Sequence, residues 1–208
     1  MNRVTADEDL SGWDRRRNDR LTELEHLALE MFAERGFSNV TVDEIASQAG
    51  VSARTLFRYF PVKEEILLGY VRRGTARLVE LIEGLGPDPN PVGAVWTVLR
   101  DDYRRRPTHA HVSNLWRSAA SEAPEVSARA IGERVRMLMD AVTGYVGCSL
   151  GLDPATDPRP RMMAGPLVGI DEAIVESIGR STTEWDELLD FGDVQVRRLT
   201  IGSRRQKR

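Results

Sequence analysis

Residues 32–67 read FAERGFSNVTVDEIASQAGVSARTLFRYFPVKEEIL. Two short amphipathic segments meet at Gly50, and a longer helical pattern follows Pro61. Thr41-Val42-Asp43-Glu44 is a capping box: the threonine hydroxyl and the glutamate carboxylate satisfy backbone N–H groups that a helix start leaves unpaired. Ile45, Ala46 and Ala49 supply an apolar face, and Gly50 stops this helix at under about three turns. Ser52 caps the next helix, which is expected to run to about Phe60. Val51, Leu56 and Phe60 are expected in a small shared core, leaving Ala53, Arg54, Thr55, Arg58 and Tyr59 the surface. Cap, short helix, glycine turn, cap, short helix is the pattern that sets two helices at a steep angle.

Working outward, Leu24, Leu27, Ala28, Met31 and Phe32 recur at helical spacing before the stretch, in a helix that starts near Trp13 and ends at Gly36. Arg15, Arg16, Arg17 and Arg20 stand at its start, either as a solvated first turn or as a basic arm on a DNA backbone. After the stretch, Lys63 to Leu85 forms one long helix with Ile66, Leu67, Tyr70, Val71, Leu78, Leu81 and Ile82 on one side. The loop GLGPDPNP (84–91) follows, and beyond it come four or five more helical patterns without a convincing strand. They cover Val92 to Arg106, a segment capped by Thr108, Pro124 to about Leu150, Pro160 to Gly179, and Thr183 to about Leu199 with Gly192 as a break. The expected fold is all-α, about nine helices in two domains: a three-helix helix-turn-helix domain over 13–61 and a helical domain over 62–202. Residues 1–12 and 203–208 are expected to be disordered.

Composition sets limits on function. The 208 residues carry a formal net charge of -3, and residues 1–63 hold nine basic against eleven acidic side chains. Any DNA-binding surface must therefore come from local placement of charge. No apolar run reaches the roughly 18 residues of a spanning segment, and the N-terminus has no apolar core of a signal peptide. Cys148 is the only cysteine and cannot form an internal disulfide, so a cytoplasmic location and no membrane partner are expected. HExxH, GxSxG, a cysteine cluster and a phosphate loop are all missing, and His109 and His111, two apart, do not face each other on a helix. The sequence points away from an enzyme, and neither metal nor cofactor is expected.

Phe32, Gly36, Phe37, Thr41, Val42, Ile45, Ala46, Ala49, Gly50, Val51, Ser52, Thr55, Leu56, Phe57, Tyr59, Phe60, Lys63 and Glu64 stand at fixed spacing. Over about residues 15–70 this pattern resembles the TetR family of transcriptional regulators. RTLFRYFPVKEE is similar to the actinobacterial branch whose C-terminal domains are described as acyl-CoA-like ligand-binding. The resemblance implies a homodimer that binds a palindromic double-stranded operator, mostly as a repressor, and a small-molecule effector, an acyl-CoA or another lipophilic compound. It also implies that Thr41, Ser52, Tyr59 and Lys63 touch phosphates. The residues themselves agree in part. Ala53, Arg54 and Thr55 occupy the N-terminal end of the second short helix, the end that meets base edges in the major groove. Arg54 suits guanine O6 and N7, a pair worth roughly 1–3 kcal/mol of discrimination, and Ala53 or the Thr55 methyl suits a thymine methyl. Arg58, one turn on, suits a base or a phosphate. Thr41 and Ser52 are also good caps in any protein.

In the second half, Gly165, Gly169, Ala173 and Ser177 recur every four residues, beside a stripe of Met163, Leu167, Ile170 and Ile174. With Trp185, Leu188 and Leu189 they form either a dimer face, which the resemblance implies for the last two helices, or an intramolecular seam. Trp96, Tyr103, His109, His111, Asn114, Trp116, Arg117 and the adaptable Met137 and Met163 are unusual for plain core. The resemblance implies a ligand pocket here, with Trp96, Tyr103, Asn114, Trp116, Met137, Met163 and Leu167 as candidate lining; at such spacing each is more often a core residue than a pocket residue. Pro166 inside an apolar helix suggests a kink. A DNA-binding regulator that takes no small ligand is the alternative.

Overall fold

The structure is a computed structural model, and it describes residues 4–105, 110–177 and 185–203. Nine α-helices and no strand occur among the described residues: α1 (Val4–Arg35), α2 (Val42–Gln48), α3 (Ala53–Tyr59), α4 (Glu64–Glu83), α5 (Pro91–Arg105), α6 (Ala110–Ser121), α7 (Pro124–Leu150), α8 (Arg159–Ser177) and α9 (Trp185–Ser203). A 3-10 turn over Phe37–Asn39 joins α1 to α2. The all-α expectation holds. The helix α1 already covers Val4, inside the stretch expected to be disordered. That stretch has no apolar stripe, but adding residues to an existing helix gains a hydrogen bond each without a new nucleus. The basic tail 204–208 and the expected Thr108 cap lie outside the described residues.

The chain divides into two compact units, Met1–Tyr70 with His111–Ala130 and Val71–Ala110 with Ile131–Arg208. The first unit is built on Leu24, Ala28, Leu29 and Phe32 of α1, Ile45 and Ala46 of α2, Leu56 and Phe60 around α3, and Ile66 and Leu67 of α4. Phe37 meets Phe32 edge-on, with ring centroids 4.9 Å apart. The helix α6 belongs to this unit as well. Its Trp116 donates the indole N–H to the Leu67 carbonyl at 2.9 Å and stacks on Tyr70, whose hydroxyl lies 3.1 Å from Ser113 Oγ.

The second unit packs α5, α7, α8 and α9 with the rest of α4. Its core includes Leu78, Ile82, Val95, Trp96, Leu99, Tyr103, Leu138, Val142, Leu167, Val168, Ile174 and Leu189. A bidentate ion pair from Arg72 of α4 to Glu133 of α7, at 2.6 and 3.0 Å, adds to it. Gly192 does not break α9 as expected; the helix runs through it. A side-chain Cβ at this position would come within 2.5 and 2.6 Å of the Trp96 ring, so the glycine is there to let α9 approach α5 closely. The next residue, Asp193, accepts from Trp96 Nε1 at 2.5 Å and from Arg100 Nη1 at 2.6 Å. Burial alone would push the Asp193 carboxyl up, but these two donors outweigh it and hold it below the usual carboxylate range. The helix α8 likewise continues through Pro166, which lies on its exposed side.

Candidate nucleic-acid interface

The turn between α2 and α3 is set by backbone chemistry that the sequence encodes locally. Thr41 Oγ1 accepts from the Glu44 N–H at 3.2 Å, and the Glu44 carboxylate accepts from the Thr41 N–H at 2.8 Å, completing the capping box. Arg35, at the end of α1, donates to the same carboxylate. These hydrogen bonds, the one from Arg35 first and then those from Thr41, draw the Glu44 carboxyl from 4.5 to about 2. Whatever the charged cap contributes is therefore present above about pH 4.5 and is lost as pH falls through about 2. At the other end of α2, Gly50 adopts φ +63°, the Val51 N–H donates to the Ala46 carbonyl at 2.9 Å, and the Gly50 N–H donates to the Ser47 carbonyl at 3.1 Å. This is a Schellman turn, and a left-handed residue is what closes it. Arg20 of α1 donates to the Ala49 carbonyl at 3.3 Å, adding a cation at the C-terminus of α2.

Ser52 then starts α3: its Oγ accepts from the Thr55 N–H at 3.1 Å and lies 2.9 Å from Thr55 Oγ1. Leu56 and Phe60 are buried, and Val51 and Ala53 pack against the same core. The opposite side of α3 carries Arg54, Phe57 and Arg58, all exposed. The Arg58 guanidinium lies 5.5 Å from the centre of the Tyr59 ring, and Tyr59 itself is half-buried. An exposed surface of two arginines with a phenylalanine between them is suited to base edges and thymine methyls. Phe57, 45% exposed, is absent from the expected DNA-contact residues. The signal that could have found it is an aromatic residue on the helix face that otherwise holds only arginines.

Lys63 has partners of its own within the unit. Its Nζ donates to the Phe37 carbonyl at 2.7 Å and the Val40 carbonyl at 3.1 Å, and lies 4.3 Å from the centre of the Phe37 ring. It clamps the turn that leads into α2, leaving one N–H for a phosphate. Lys63→Met, which keeps the side-chain length, is expected to lower stability by about 1.5–3 kcal/mol in urea unfolding. The salt dependence of binding to non-operator DNA separates the two roles. An unchanged slope identifies a clamp, and a slope shallower by about one identifies a phosphate contact.

The other expected site residues divide between the units. Trp116 and the exposed Asn114, which accepts from Arg117 at 3.0 Å, lie in the first unit. Trp96, Tyr103 and Leu167 lie in the core of the second, with Met163 packed against it, and Met137 borders a groove. His109 and the Trp185 side chain lie outside the described residues. Along α8, Gly165 and Gly169 have open space above them and Ala173 is exposed, whereas Ile170 and Leu188 are half-buried and Ile174 and Leu189 point into the core. Among the described side chains, Met162, Phe191, Val194 and Leu199 are the large apolar ones that α8 and α9 leave exposed.

Residues 26–70 match the family model described as bacterial regulatory proteins, tetR family. This segment, which holds α2, α3 and the start of α4, carries the N-terminal domain of that family. It is 39% identical over 71 residues to a Mycobacterium tuberculosis protein named as a mycofactocin biosynthesis transcriptional regulator, covering 34% of this chain and 36% of that one. The matched segment thus spans about a third of that relative. The solved structure of a TetR-family transcriptional regulator from Syntrophomonas wolfei is similar at TM-score 0.68 and 16% identity, covering 89% of this chain and 96% of that one. FadR from Bacillus subtilis, in complex with stearoyl-CoA, is similar at TM-score 0.57 and 19% identity, covering 86% and 97%. At such identities these two likenesses show the fold.

Proposed function

We propose that this chain is a TetR-family regulator that binds a palindromic operator as a homodimer in the cytoplasm, represses transcription, and releases DNA when a small lipophilic effector binds its helical half. The observation that carries the DNA reading is the exposed Arg54-Phe57-Arg58 surface on a helix fixed by a cap at Ser52 and a Schellman turn at Gly50. Dimerisation is supported by the apolar side chains exposed on α8 and α9, together with the uncovered Gly165 and Gly169. One seven-residue helix reads few base pairs, and two copies spaced by about 34–36 Å read a palindrome. The stearoyl-CoA held by Bacillus subtilis FadR supports a lipophilic effector, acyl-type or other, through likeness of fold.

A regulator without a small-molecule effector is the second reading. Trp96, Tyr103 and Leu167, expected to line a pocket, are packed in the interior, where Trp96 and Tyr103 are also hydrogen-bonded. Met162→Glu combined with Phe191→Glu tests the main proposal. The native chain is expected to sediment as a dimer at micromolar concentration. The variant should sediment as a monomer, keep its helical circular dichroism, and bind operator roughly 100-fold more weakly. A monomeric native chain that still binds a palindrome tightly would overturn the dimer reading.

A further inference from the structure

We infer that a groove in the second unit is a binding site for small lipophilic monocations, an inference that deepens the effector reading above and rests on it. The groove is an open depression of about 580 Å³ between the C-terminal part of α4 and the C-terminal half of α7. Leu85, Met137, Ala141 and Tyr145 give it an apolar lining. Tyr145 is 8% exposed and its hydroxyl donates to the Gly86 carbonyl at 3.0 Å, so the ring is held in place and its polar atom is already paired. Gly144 also lines the groove, and nothing lies within 4 Å of where its Cβ would be.

Among the described residues, the charged groups of the lining are two carboxylates, Glu83 and Asp140, with no arginine or lysine. An apolar surface edged by two negative charges selects a ligand that is apolar and positive. An acyl-CoA would bring its phosphates and thioester chain against those carboxylates. An aromatic ring and a thioether also suit a polarisable cation. Arg161 lies 3.5 Å from Asp140, with both side chains more than 60% exposed, a loose pair that a bound cation displaces.

Cys148 is exposed, lines the same groove, and is the only cysteine of the chain, so its alkylation by iodoacetamide reports occupancy directly. Tetraphenylphosphonium and tetraphenylborate have the same shape and opposite charge. Saturating phosphonium is expected to slow Cys148 alkylation at least tenfold, and borate is expected to leave it unchanged. Glu83→Gln and Asp140→Asn should each weaken phosphonium binding about threefold, the pair of substitutions about tenfold, and Arg161→Ala should strengthen it by a similar factor. Equal protection by the two ions, or no protection by phosphonium, would overturn the inference. Operator release is measured separately by gel mobility shift. Protection of Cys148 without release leaves the groove assignment standing and overturns the effector role of this site.

Discussion

Asp171→Ala is expected to destabilise the protein by about 3–5 kcal/mol. Asp171 is 2% exposed and accepts from Arg134 at 2.9 and 2.6 Å and from the Tyr103 hydroxyl. Burial alone would push the Arg134 guanidinium down, but Asp171 and Tyr103 outweigh it and raise it further, so the arginine stays charged at any working pH. Removing the carboxylate leaves that charge buried without its counter-ion. The same reasoning predicts that Arg134→Met combined with Asp171→Leu costs much less than Asp171→Ala, because both desolvation penalties vanish together. Urea unfolding midpoints of the single and double variants decide the matter. A double variant as unstable as the single one would show that packing volume, and not an unpaired charge, is what α8 requires. Tyr103→Phe removes only the hydroxyl donor to a charged acceptor and is expected to cost about 1.5–3 kcal/mol.

This network also marks the limit of what the sequence discloses. Arg134 and Asp171 are 37 residues apart and Tyr103 and Asp171 are 68 apart. Each alone looks like a solvated charge, or like an aromatic residue free to line a pocket. Nothing within one helical turn of Tyr103 indicates that its hydroxyl is committed to α8. Gly192 shows the same separation: a glycine within a helical pattern reads as a break, and its actual cause is the Trp96 ring on another helix. Ile174 and Leu189 are a third instance, since an apolar stripe has the same spacing whether it faces a second copy or its own core. By contrast, the α2–α3 turn is legible because its determinants are local. Thr41 and Glu44 are three apart, as are Ser52 and Thr55, and the glycine that closes the turn contacts only its own helix end. Lys63 falls between these cases. Its position resembles a phosphate contact, yet its two carbonyl partners are 26 and 23 residues away, beyond the reach of local spacing.

Arg54→Ala is expected to weaken binding to an operator selected from random DNA by between about fivefold and a hundredfold per half-site, as loss of a bidentate guanine contact implies. Arg54 is exposed and lies one residue into a helix whose start is fixed by Ser52, so its reach is set by the cap rather than by tertiary packing. Replacing the contacted guanine by 7-deazaguanine removes one of the two acceptors. Native protein should lose affinity on that operator, and the Arg54 variant should be indifferent to the change. Phe57 offers a parallel test, because its exposed ring has no polar atom and can gain only from apolar contact or stacking. Thymine-to-deoxyuracil replacement removes a single methyl group. If Phe57 packs on that methyl, native protein weakens on the uracil operator and Phe57→Ala abolishes the difference between the two DNAs. The two substitutions act on different atoms of the bases, so their effects should add within about 0.5 kcal/mol unless Arg54 and Phe57 meet the same base pair. Strong non-additivity would place both side chains on one base step and so fix the rotation of α3 in the groove. Uniform loss on all DNA by either variant, with guanine and thymine preferences intact, would reassign that residue from base reading to backbone contact.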